Sequence, residues 1–175
     1  MPVTLLIIVF FICLGSLLIN GCTKAGQKNV TIKSDELGIS FNKTLDTLIV
    51  LDEGSHAITK DESLYIYSLE NEIFEEEIIV QTKDNNYYAL LIKYIYAINP
   101  DNIIDLHKEF GQYYFETYLK PEIRDLIRYK VITYEADPED AEILSESILT
   151  EIKNHKGFSQ LFNSISFEII EISNV

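Results

Sequence analysis

Tyr87 to Asn99 reads YYALLIKYIYAIN. Its β-branched and aromatic residues fall on both parities, which predicts a strand in the middle of a sheet, buried on both faces. Upstream, Asp84-Asn85-Asn86 supplies turn residues, and Ile73–Gln81 (IFEEEIIVQ) reads as the preceding strand, acidic in its first half. Downstream the period changes. Asn99-Pro100 is a helix start, with Asn as N-cap and Pro at the first helical position. Ile103, Ile104 and Leu106 populate a short helix ending near Gly111. Phe110, Tyr114, Tyr118, Ile123, Leu126, Ile127 and Val131 then recur at helical spacing, with a kink or a new first turn expected at Pro121. Ala136-Asp137-Pro138 breaks the chain, and Asp137 is the expected cap of a third helix with Ala141, Leu144, Ile148 and Ile152 on one stripe. Gly157 is expected to stop that helix. Ser164–Ile172 (SISFEIIEI) closes as a strand with Ile165, Phe167 and Ile169 inward.

Thr47–Leu51, His56–Thr59 and Leu64–Leu69 are short strands, the first ended by the turn residues Asp52-Glu53-Gly54. The order of strands, helices and closing strand predicts an α+β domain: an antiparallel or mixed sheet of short strands, then helices, then a last strand. Thr23 to Thr44 has scattered apolar residues without a clean period and reads as a tether. The expected division is 1–21 as signal peptide or membrane anchor, 22–44 as tether and 45–175 as the folded domain.

The anchor follows from the first residues. Val3 to Ile19 is an uninterrupted uncharged, mostly apolar run of 17 residues, at the short limit for a membrane-spanning helix. Ile19-Asn20-Gly21-Cys22 resembles the bacterial lipobox, in which the cysteine is acylated and the leader is cut before it. Two or more acyl chains on Cys22 would anchor stably, since each buried CH₂ contributes about 0.8 kcal/mol and one chain alone is marginal. The alternative is an uncleaved single-pass anchor. The only cysteines are Cys13 and Cys22, so a disulfide framework or thiolate zinc site is not expected in the folded domain. Either reading predicts a membrane-anchored protein facing the periplasm or the cell exterior.

A resemblance emerges from motifs in register. Val80-Gln81-Thr82-Lys83-Asp84, the strand ending Ala97-Ile98-Asn99-Pro100, Phe110-Gly111-Gln112-Tyr113-Tyr114, Leu119-Lys120-Pro121-Glu122-Ile123-Arg124, Ile127-Arg128 and Tyr134-Glu135-Ala136 follow in order. Together they resemble the SPFH (band 7) superfamily of prohibitins, stomatins and flotillins. Ile49–Ala57 is similar to the opening strand and turn of those domains. The chain departs from them in lacking a Pro-Gly segment between Asp52 and Gln81, and in ending at Val175 without the coiled coil that usually follows. The resemblance implies a membrane scaffold without catalysis, organising membrane partners or modulating a membrane protease through protein contacts, with self-association as one form of contact. The alternative is a stand-alone lipid-anchored binding lipoprotein that has lost ring assembly.

Chemistry-bearing motifs are sparse. His56, His107 and His155 stand in unrelated contexts, the glycines after the leader are isolated, and no serine lies in a nucleophile elbow. No catalytic residue, cofactor or metal ligand is therefore expected. The acidic stretch from Glu70 to Glu77 reads as a solvated or edge-protecting face. Lys120, Arg124 and Arg128 are the one local basic cluster, at i, i+4 and i+8 on one helix face. They are either a candidate interaction face for an acidic neighbour or lipid headgroups, or are paired along the helix with Glu116, Glu122 and Asp125. A net charge of −14 argues against a nucleic-acid partner.

Overall fold

The computed structural model describes residues 26–133 and 140–175. Five short strands come first: β1 (Gln27–Ile32), β2 (Glu36–Asn42), β3 (Thr47–Leu51), β4 (Gly54–Thr59) and β5 (Glu62–Ser68). They form two small antiparallel sheets, β1 with β4, and β3-β2-β5 with β2 in the middle. The stretch read as a tether thus holds two strands, β1 and β2, joined by a turn at Lys33-Ser34-Asp35. The period is masked for two reasons: β1 buries only Ile32, and β2 buries Leu37, Gly38, Ile39 and Ser40 in succession, on both parities. Gly38 has little room for a side chain: a Cβ there would lie 3.0 Å from Ile32 Cδ1 and 3.2 Å from Leu51 Cβ.

The second half is built on β6 (Glu72–Gln81), β7 (Tyr87–Ile98) and β8 (Phe162–Asn174), antiparallel with β7 central. Between β7 and β8 the chain runs through α1 (Ile103–Phe110), a π-helical turn (Phe115–Leu119), α2 (Lys120–Thr133), α3 (Ala141–Asn154) and α4 (Lys156–Leu161). The architecture is α+β with antiparallel short strands, helices and a closing strand, as the residue pattern predicts.

The helices cover one face of this sheet. Tyr88, Leu90, Ile92, Tyr94, Tyr96 and Ile98 of β7 share that face and are all buried. Against them pack Ile123, Ile127 and Val131 of α2 and Leu144, Ile148 and Ile152 of α3, each spaced to lie on one stripe of its helix. On the opposite parity, Leu91, Lys93 and Ile95 are half-buried, and only the small Ala89 and Ala97 are shielded. The expectation of a strand buried on both faces is corrected accordingly. Apolar residues on both parities here reflect one face under helices and a second that no described element covers broadly.

The junctions explain the rest. Asn99 Oδ1 accepts the Asp101 amide at 3.1 Å ahead of Pro100, and Asn99 Nδ2 donates to the Gln160 carbonyl at 3.0 Å, so one side chain starts a helix and ties it to α4. Gly111, at φ 67°, ends α1 in a conformation that suits glycine. A π turn precedes Pro121, which sits in the first turn of α2 where its missing N–H is harmless. Asp140 caps α3 through the Ile143 amide at 3.2 Å, whereas Asp137 and the Tyr134-Glu135-Ala136 motif lie outside the described residues. Gly157 does not stop α3. The chain turns at the extended His155, and Gly157 lies inside α4, where a Cβ would collide with the Tyr118 hydroxyl.

Candidate interaction surfaces

Lys120, Arg124 and Arg128 do lie along α2, but each is engaged. Lys120 is 3.5 Å from Glu116 and sits 4.8 Å over the Phe74 ring, a cation–π contact that folds its stem against β6. Arg128 pairs with Asp125 at 3.3 Å, both side chains being more than half exposed. Arg124 reaches across to β6 instead of along its own helix. Its Nε donates to both carboxylate oxygens of Glu76 at 3.1 Å, with a further contact from a terminal nitrogen. The Glu76 side chain is only 9% exposed, and the fork-to-carboxylate geometry raises the arginine pKa further. This pair fixes α2 on the sheet, so Arg124 has a structural duty that its sequence spacing did not disclose. Glu122 faces His155 at 3.8 Å rather than Arg124.

The acidic run on β6 divides by parity. Glu76 turns inward to Arg124 and Glu72 accepts the Tyr96 hydroxyl at 3.0 Å, while Glu75 lies 3.7 Å from Lys93 on the outer face. Among the described residues no cluster of His, Cys, Asp or Glu could hold a metal ion. β6 is an edge strand, and its charges fit protection against pairing with another chain.

Sequence spacing gave no hint of the joint between the two halves. Tyr67 of β5 hydrogen-bonds His107 Nδ1 of α1 at 2.5 Å, Tyr65 lies beside the same imidazole with ring centroids 4.6 Å apart, and Tyr114 stands 6.1 Å from Tyr67. Burial pushes the Tyr67 and Tyr114 hydroxyls up to about 12 and lowers the His107 pKa. His107 is thus held in an aromatic joint, its Nδ1 sharing a hydrogen bond with the Tyr67 hydroxyl. Beside it opens a cavity of about 300 Å³ lined by Tyr67, Glu72, Tyr96, Tyr114 and Phe115 among others. In its wall the Tyr96 hydroxyl donates to Glu72 at 3.0 Å. None of the three histidines meets a serine or carboxylate in a catalytic arrangement: His56 bonds the Asp52 carbonyl at 2.7 Å, His107 bonds Tyr67, and His155 faces Glu122.

The order of elements, the Asn99-Pro100 start, the Gly111 turn and the Pro121 helix entry stand in one continuous domain. The sequence pattern of the SPFH domain / Band 7 family matches residues 27–172. The chain belongs to that family. Comparison with curated proteins gives no match. SPFH domains are typically membrane-associated, generally non-catalytic scaffolds that form protein complexes. The match begins at Gln27, in the strand β1, and so takes in both small sheets as part of the SPFH domain. Cys22 and the apolar Val3–Ile19 lie outside the described residues, and among the described residues no helix is long and apolar enough to cross a membrane.

Proposed function

We propose that this chain is a membrane-anchored, non-catalytic SPFH scaffold on the outward side of a bacterial membrane, held by lipid on Cys22, with Val3–Ile19 as its export segment. The observation that carries the reading is a juxtaposition: an SPFH domain from Gln27 follows within a few residues of an uncharged apolar segment that ends in a lipobox-like Ile19-Asn20-Gly21-Cys22. Anchoring confines the domain to two dimensions and raises its effective concentration near other membrane proteins, so contacts too weak to persist in solution become populated. Its work is then done by surfaces: self-association, or contacts that organise membrane partners or restrain a membrane protease. On the basic stripe of α2, Arg128 is the side chain presented for such contacts, because Arg124 is committed to Glu76 and Lys120 is folded over Phe74.

Replacing Cys22→Ser tests the anchor. The expected result is a longer, unacylated chain by intact mass, with the leader retained. A leader still cut at Gly21 in the variant, or a wild-type chain without acyl mass, would overturn the lipid anchor.

A further inference from the structure

The outer face of the β6-β7-β8 sheet is a surface the scaffold reading does not yet use. Its residues follow from the register. Ile73, Glu75, Glu77 and Ile79 of β6 pair with Ile95, Lys93, Leu91 and Ala89 of β7, which in turn pair with Ser166, Glu168, Glu171 and Ser173 of β8. All lie on the side opposite α2 and α3. Ile73 is 63% exposed, Ile79 56% and Tyr87 49%, on a strand pair whose other face is almost dry. The face is organised: Ile79, Leu91 and Ile95 form an apolar strip that Lys93 interrupts between the last two, and β7 presents only the small Ala89 and Ala97 beyond them. Glu75, Glu77, Glu168 and Glu171 flank the strip, against the single ammonium of Lys93.

We infer that this face docks an amphipathic helix of a partner protein, one whose apolar stripe is flanked by Lys and Arg. The apolar strip supplies an area that gains from being covered, and a sheet with helices on one face accepts a helix on the other. The carboxylates choose the occupant. Four of them around the strip, in a chain of net charge −14, oppose an anionic lipid surface, a nucleic acid, or face-to-face docking of a second copy, each of which brings negative charge to negative charge. A basic flank relieves that repulsion and is drawn in by the field of the whole molecule. This inference rests on the scaffold reading only in requiring that a protein partner exists; the anchor on Cys22 can fail independently.

The test uses full-length protein in nanodiscs of zwitterionic phosphatidylcholine, with empty discs as the blank. The probe is a labelled four-turn amphipathic peptide of Leu and Lys, compared with its Leu and Glu counterpart, read by anisotropy and by hydrogen exchange. Saturable binding of the Leu/Lys peptide is expected, slowing exchange in β6, β7 and β8, weakening as salt is raised, and absent for the Leu/Glu peptide. Glu168→Gln with Glu171→Gln should weaken binding about tenfold, while Glu142→Gln with Glu146→Gln, the same charge change on exposed positions of α3, should leave it within about twofold. The exposed Ile79→Ser is a second, independent variant and should weaken binding with no charge change. No binding, equal loss in both double variants, or protection confined to the helices would overturn the assignment. Failure of these arms with Cys22 acylation intact would sink the docking face and leave the anchored scaffold standing.

Discussion

In the strand-rich half, Gln27 to Ser68, two thin sheets bury Ile32, Leu37, Ile39, Ser40, Ile58 and Tyr67; from Glu72 onward, one three-stranded sheet under α2, α3 and α4 holds nearly all the remaining core. Ile32 and Ile58 are buried apart from the main cluster, whereas Leu37, Ile39 and Tyr67 join it. The first half therefore leans on the second through few residues, chiefly the Tyr67–His107 joint and its aromatic neighbours. Such an arrangement opens locally at lower cost in the thin sheets than in the helix-covered one.

The largest expected effect breaks the thicker half. Leu144→Ala empties a fully buried site between α3 and the sheet and should cost about 3 kcal/mol in a urea titration. Ile58→Ala removes a similar volume from the thin half. It should speed hydrogen exchange in β1 and β4 while leaving the exchange of β7 nearly unchanged. If Ile58→Ala lowered β7 protection as much as Leu144→Ala, the two halves would be one cooperative unit and the contrast would be void.

Arg124→Ala should cost about 2 kcal/mol, because Glu76 keeps its carboxylate on a largely buried position without its fork partner. Thermal unfolding of Arg124→Ala beside Arg128→Ala sharpens the assignment. Arg128 pairs at the surface, and its loss should change stability by less than about 0.5 kcal/mol. Equal effects would mean that the Glu76 pair does not hold α2. Gly157→Ala should cost about 1 to 2 kcal/mol as Tyr118 shifts to admit the new methyl group.

The smallest effect is in the joint, and its sign is set by His107. Burial lowers the folded pKa below the ordinary value near 6.5, so the unfolded chain takes up its proton first as the pH falls. The joint is at full strength above about pH 6.5 and weakens below it, since the buried imidazole resists the proton that the unfolded chain takes up. Stability measured between pH 7.5 and pH 5 should decline with a component that His107→Gln removes. A decline of the same size in the variant would assign it to other groups.

Much of the second half was legible because its signals are local. Asn99-Pro100, Gly111 and the i, i+4 stripe of Leu144, Ile148 and Ile152 each act within one or two turns of chain, and each appears where expected. The strands at Gln27 and Glu36 were hidden because the first buries only Ile32 and the second buries Leu37 to Ser40 in succession, so neither leaves a clean alternation. Gly157 misled for a different reason: its small size serves Tyr118, 39 residues earlier, not the end of its own helix. Of the surfaces, the α2 stripe was visible as spacing, but Arg124's partner was not, because Glu76 lies 48 residues earlier on another element. The outer sheet face could have been read from Ile73, Glu75, Glu77 and Ile79 at period two, a pattern obscured by the inward Glu76 between them.

If this SPFH domain works by self-association at a membrane surface, the native mass of the full-length protein after mild detergent extraction, measured by light scattering, must exceed that of one chain. A large assembly of many subunits is the predicted result, and a lone monomer at every protein concentration would contradict it.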